Sequence, residues 1–221
     1  MSSLERLITS WRASADLHTF RQGATESEIE DFEILADWKL PAEWRELYLF
    51  TNGAYLFKEN LRFYPLRQLL DESESCRDDD WPVPEELWLA GDNRQGDKFG
   101  LWLPTATADT SPVVRIGPNL VDYGIRGLMI LGSSLSAFLL GETAFRLLSE
   151  EDTPTAAALA ALDIPPEVRS KFPDDLGSWV TGWWDADGTA WDAVSKWADP
   201  ECPWADDPCD ARAVNAALGV G

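Results

Sequence analysis

His18 is the single histidine among 221 residues, so any serine- or cysteine-nucleophile chemistry in this chain would have to use it as the base. No serine stands in a nucleophile-elbow sequence, and neither Cys76 nor the pair Cys202 and Cys209 has a catalytic context. Paired carboxylates could serve as acid and base, but with 39 acidic side chains spacing alone selects no pair. In DADGTAWD, Asp185, Asp187 and Gly188 have the local spacing of a calcium loop. However, Trp183 falls where the first ligand belongs and Val194 where the bidentate glutamate belongs. Three cysteines at no zinc-ligand spacing are most simply reduced thiols, with a Cys202–Cys209 disulfide the alternative. GDNRQG lacks the GxGxxG and GxxxxGK patterns that cradle phosphates. The expectation is a protein without catalytic, cofactor-binding or metal-ligating residues, one that works by binding.

Charge narrows what it could bind. Against 39 acids stand 18 lysines and arginines, a formal charge of -21. Such a surface repels phosphate backbones and anionic headgroups, which disfavours nucleic acid and membrane surfaces and leaves a basic protein as the natural complement. The densest acidic stretch, Asp71 to Asp92, holds nine acids and Arg77 alone. It is expected to be a solvated loop as far as Pro84. Within it Asp78, Asp79, Asp80, Glu85 and Glu86 are candidate partner contacts, as are Asp206 and Asp207 in the tail. No export signal opens the sequence, and the longest apolar region, Gly127 to Gly141, is too short to span a bilayer, so a cytoplasmic protein is expected.

The frame around these residues reads as α+β. With 45% hydrophobic residues and 12 Trp, 9 Phe and 4 Tyr, the chain has the large apolar side chains that a disordered one lacks. Leu4, Leu7, Ile8 and Trp11 predict a helix over residues 3 to 15. A loop through His18 and Gly23 leads to the capping-box pair Thr25 and Glu28, which opens a second helix carrying Ile29 and Phe32. Pro41 suits the first turn of a third, and Gly53 its left-handed close. Leu61 to Tyr64 reads as a strand and Leu66 to Asp71 as a helical turn. Leu87 to Ala90 and Lys98 to Leu103 form a hairpin across GDNRQGD, Val113 to Ile116 and Leu128 to Leu131 add strands, and Ser133 or Ser134 caps a helix through Leu148. The sum is a mainly antiparallel sheet of five or six strands with helices from both ends packed on it. Residues 1 to 150 are expected to form that domain. Residues 151 to 221 form a helical, acidic extension packed on it, holding Trp179, Trp183, Trp184, Trp191, Trp197 and Trp204.

Taken in order, these pieces resemble the SUKH superfamily, which unites yeast cell-wall regulators of the Smi/Knr type with bacterial immunity proteins. The resemblance rests on ATESEIEDFE with Ile29, Phe32 and Glu33, the Leu40–Pro41 helix start, the Asn52–Gly53 stop, and AGDNRQGDKFGLWL with Gly91 and Asp97. Pro112 to Arg115 and SSLSAFL complete it. It covers about residues 20 to 148 and leaves the tail outside. It implies an α+β fold and protein binding without catalysis: a cytoplasmic immunity protein that neutralises a cognate, basic, nuclease-type polymorphic toxin. The alternative it allows is a regulatory or scaffold protein that binds a cellular partner. It assigns neither contact residues nor oligomeric state.

Overall fold

The computed structural model describes residues 2–78, 83–94, 96–117, 128–149, 156–172, 193–194 and 196–201. The first helix, α1 (Ser3–Ala13), begins at a capping box in which the Ser2 side chain accepts from the Glu5 amide and Glu5 from the Ser2 amide. Each such cap is worth about 1 kcal/mol. Leu4, Leu7 and Trp11 form its buried stripe. A 3-10 turn and the two-residue strand β1 (Thr19–Phe20) follow, and the expected Thr25–Glu28 box opens α2 (Glu26–Ala36). α3 spans Ala42–Phe50, with Pro41 at its N-cap rather than inside its first turn.

Six more strands join β1 in one sheet: β2 (Ala54–Leu56), β3 (Leu61–Phe63), β4 (Leu87–Asp92), β5 (Lys98–Trp102), β6 (Val113–Ile116) and β7 (Leu128–Gly132). All pair antiparallel and in chain order, so the sheet is a seven-stranded meander among the described residues. The expectation of five or six strands missed β1 and β2, which are too short to show alternation. The hairpin across GDNRQGD stands as expected, with Asp92 opposite Lys98 and a bulge between Leu89 and Gly91. Gly91 has no alternative here, because a Cβ would lie 2.2 Å from the Arg62 carbonyl oxygen on β3. Strands β4 to β7 are buried at nearly every position, which requires cover on both faces of that half of the sheet.

The largest correction concerns the acidic segment. Residues expected to be loop continue a thirteen-residue helix, α4 (Leu66–Asp78), which packs on β4. Leu66, Leu69, Ser73 and Cys76 repeat at helical spacing and are all buried, so burial along this stripe holds the helix against the repulsion of its outward acids. Ser73 Oγ donates to the Leu69 carbonyl (2.7 Å) and accepts the Leu89 amide (2.9 Å), tying α4 to the sheet.

After β7, Ser134 Oγ accepts the Ala137 amide and caps α5 (Leu135–Ser149). α6 (Ala156–Leu162) packs on α1 through Ala158 and Leu162, and α7 (Pro166–Arg169) follows. Trp11, Trp44 and Trp102 are fully buried, and the first two satisfy their indole N–H groups across the core. Trp11 donates to Thr143 Oγ1 and Trp44 to Ser111 Oγ, each at 3.1 Å.

Glu33 and His18 are two buried titratable groups whose pKa values the fold lowers. Glu33 accepts Lys39 Nζ (2.7 Å), Arg45 Nη1 (2.6 Å) and the Leu40 amide (3.2 Å), locking the turn between α2 and α3. Burial alone would raise its pKa, but the hydrogen bonds from Lys39 and Arg45, the Arg45 charge and the Leu40 amide outweigh it and hold the carboxyl below its usual value of 4.5. Its stabilisation is therefore present above about pH 4.5 and lost as pH falls through the lower folded value. We expect Glu33→Gln to lose about 2 kcal/mol in urea unfolding at pH 7. A loss below about 0.5 kcal/mol would mean the three partners contribute only as screened surface charge.

His18 stacks near Phe20 and lies edge-on to Phe57 with centroids 5.1 Å apart, and its Nε2 meets Ser14 Oγ at 3.2 Å. Burial lowers its pKa from 6.5 to about 4, with nearby Asp16 only partly opposing the shift. The neutral ring is the folded form, so its contribution is complete above pH 6.5 and is lost as pH falls toward 4. As the sole histidine, its imidazole proton resonance should titrate with a midpoint near 4. A midpoint near 6.5 would place the ring in water.

Candidate protein-binding surface

The one histidine is thus part of the core. Among the described residues no group of three or more His, Cys, Asp or Glu side chains is arranged to hold a metal ion. The described chemistry is that of charge at a surface, and the fold sorts its carboxylates into two sets.

The inner set is matched. Besides Glu33, Asp97 pairs with Arg115 at 2.8 Å, Glu142 with Arg146 at 2.9 Å and Arg62 with Asp92 at 3.7 Å. Glu72, on the inner side of α4, pairs with Lys98. Burial alone would raise the Glu72 pKa, but hydrogen bonds from Lys98 and Gln68 and the charges of Lys98 and Arg62 hold it below the usual carboxylate value. Asp199 is buried and accepts both the Ser133 amide (2.5 Å) and Ser133 Oγ (2.8 Å). This side chain fastens the described part of the tail to the start of α5, where Val194 is also buried.

The outer set lies on α2, α4 and the turn before β4. Glu28, Glu30, Asp31 and Asp37 are exposed on or just after α2, Asp71 and Glu74 on α4, and Glu85 and Glu86 in the turn. None of them has a cation within ion-pair distance among the described residues. Arg77, the one cation of the acidic segment, is spent internally. Its Nη2 donates to the carbonyls of Pro84 (3.0 Å), Glu85 (3.2 Å) and Leu87 (3.2 Å), holding the turn against the end of α4. Glu85 and Glu86 are thereby brought beside the end of the helix that Asp78 closes.

The position of α4 relative to α2 is set by the residues expected only to stop α3. Asn52 Oδ1 accepts the Leu66 amide at 2.9 Å, capping α4 from across the chain. Gly53 has φ 99°, a left-handed conformation that side chains resist. Nothing in the spacing of LPAEWRELYLFTNG signals that Asn52 serves the later helix.

Of the expected contacts, Asp79, Asp80, Asp206 and Asp207 lie outside the described residues, as do the DADGTAWD loop, Cys202, Cys209 and Trp179, Trp183, Trp184, Trp191 and Trp204. Trp197 is described and packs half-buried against the core, and the Cys76 side chain is buried in α4. Sequence reasoning passed over Glu28, Asp31, Asp71 and Glu74 as contacts. Their i, i+3 recurrence on helices with an opposite apolar stripe was the available signal.

No helix among the described residues is long and apolar enough to cross a membrane. A comparison with curated proteins finds no match. The profile of the SMI1 / KNR4 family (SUKH-1) matches residues 23–141, which is more than half of the chain and runs from the start of the α2 capping box to the middle of α5. The matched span contains the Glu33 lock, the Asn52–Gly53 junction, the hairpin and the whole outer acidic set, and on this ground the chain belongs to the SMI1 / KNR4 family (SUKH-1).

Proposed function

We propose that this protein is a cytoplasmic immunity protein that binds and neutralises a basic, nuclease-type polymorphic toxin by contact alone. The observation that carries the reading is the division of its carboxylates. Inner ones are matched by Lys39, Arg45, Lys98, Arg115 and Arg146, while Glu28, Asp31, Asp71, Glu74, Glu85 and Glu86 face solvent with no cation at ion-pair distance among the described residues. An unmatched negative field costs self-repulsion in the free protein and is relieved when a cationic surface covers it.

A nuclease gathers positive charge where it holds phosphates, and an inhibitor of opposite sign is steered to that same site. Association can then approach about 10⁸ M⁻¹s⁻¹ at low salt. The exposed acids need only occupy the phosphate-binding surface, so no bond is made or broken. Family membership supports protein binding in general, and the formal charge of -21 supports the choice of a basic partner.

Coexpression with a toxin encoded beside it should restore growth of cells that the toxin alone arrests. Reversing Glu85 and Glu86, together with Asp78, Asp79 and Asp80, to lysine should slow association about tenfold at low salt, the difference fading near 0.5 M salt. An unchanged on-rate would move the steering surface elsewhere. A stable complex with a cellular protein, without rescue from any toxin, would favour the scaffold reading.

A further inference from the structure

The two helices that carry the outer acids also enclose an apolar groove of about 240 Å³. Phe32 and Leu35 of α2 face Leu66 and Leu70 of α4 across it. Leu35 is 77% exposed and Ile34 beside it 76%, whereas Leu49, the other large exposed hydrophobic among the described residues, is 39% exposed. A bare leucine in the wall of a groove is a different matter from a lone surface leucine. The volume is below the roughly 300–1,000 Å³ of pockets that enclose drug-sized ligands. The groove suits side chains presented by a larger partner.

Its charge says which partner. Glu28, Asp31 and Leu35 recur at helical spacing along the α2 wall, so apolar contact there is flanked by two carboxylates, and the exposed acids Asp71 and Glu74 lie further along α4. Arg67 is the one cation in the lining, and its charge already acts on Glu28. The acidic turn is linked to the groove through one ring contact: Phe32 meets Trp88 edge-on at 5.9 Å, and Trp88 follows Glu86 by two residues. The chain's own tail is a poor occupant, because residues 171 to 221 carry ten acids against Lys171, Lys196 and Arg212. A second copy would bring the same sign of charge.

We propose that the α2–α4 groove seats an amphipathic segment of a basic partner protein. The segment presents leucine- or phenylalanine-sized side chains one helical turn apart, and its flanking lysines or arginines meet Glu28 and Asp31. This rests on the partner being a basic protein and does not require it to be a toxin. Apolar side chains in the groove hold the complex, and the carboxylates set its orientation and speed of assembly.

The test is an amide NMR titration of the full chain with a synthetic helical peptide of leucine and lysine, using its leucine–glutamate counterpart as control. Saturable shifts centred on Phe32, Leu35, Leu66 and Leu70 are expected with the lysine peptide alone. Leu35→Asn, at an exposed position that the fold does not need, should weaken binding about tenfold, and Leu35→Met should leave it within about twofold. Glu28→Gln with Asp31→Asn should weaken it about threefold at low salt. Equal binding by Leu35→Asn and Leu35→Met, or shifts spread over the acidic surface without the groove, would overturn the proposal. So would Overhauser contacts from tail indoles to Leu35 in the free protein, or a dimer that Leu35→Asn dissolves. The outcome is separable from the growth assay. A Leu35→Asn protein that still rescues with unaltered affinity removes the groove and keeps neutralisation, while saturable groove binding without rescue does the reverse.

Discussion

Three residues, Thr51, Asn52 and Gly53, hold the helical layer to the sheet, and the position of everything outward of them follows. Thr51 Oγ1 accepts the Arg21 amide (3.2 Å) and donates to the Gly53 carbonyl (2.7 Å), closing α3 onto the entry of β2. The Asn52 amide donates to the Gln22 carbonyl (3.1 Å), and its side chain caps α4. One short turn thus connects the segment after β1, the end of α3, the sheet and the start of a helix fourteen residues downstream. Because α2 is separately locked to α3 through Glu33, α2 and α4 are referred to the same frame from both sides. The groove between them is a consequence of hydrogen bonds that lie beneath it.

This arrangement separates two uses of negative charge. A buried carboxylate requires a matched partner, since desolvation opposes ionisation, and Glu33, Asp97 and Glu142 each have one. Exposed carboxylates need none, and a chain of formal charge -21 has many to place. Placing them on α2, on α4 and in the turn gripped by Arg77 gathers them on two packed helices and the turn beside the end of α4. An apolar floor between those helices adds short-range contact to long-range steering, and neither alone gives both speed and persistence of binding.

The sequence made much of the frame readable, for local reasons. The Thr25–Glu28 capping box, the Gly53 turn, the hairpin across GDNRQGD and the Ser134 cap each depend on residues within a few positions of one another. β1 and β2 were not readable, because their two and three residues carry too little alternation and no proline marks their ends as Pro65 marks that of β3. The turn after β2 was hidden as well: Phe57, Lys58 and Glu59 all take positive φ (55°, 53° and 71°), which bulky residues adopt when burial, here of the Phe57 ring against His18, overrides local preference. In α4 the acids hid the helix. Charge density argued for a solvated loop, while the Leu66, Leu69, Ser73 and Cys76 stripe that decides the matter is sparse and half polar. The acidic character of the surface was legible from composition. The groove was not, since its walls come from segments some thirty residues apart that meet only in the folded chain.

Hydrogen exchange of the full chain, alone and bound to its basic partner, bears most directly on the central claim that one acidic, groove-bearing face covers a cationic protein. The account predicts that binding slows exchange in α2, in α4 and in residues 83–86, and leaves α6 and α7 as they are in the free protein. Slowing confined to α6 and α7 or to β1, with α2 and α4 unaltered, would contradict it.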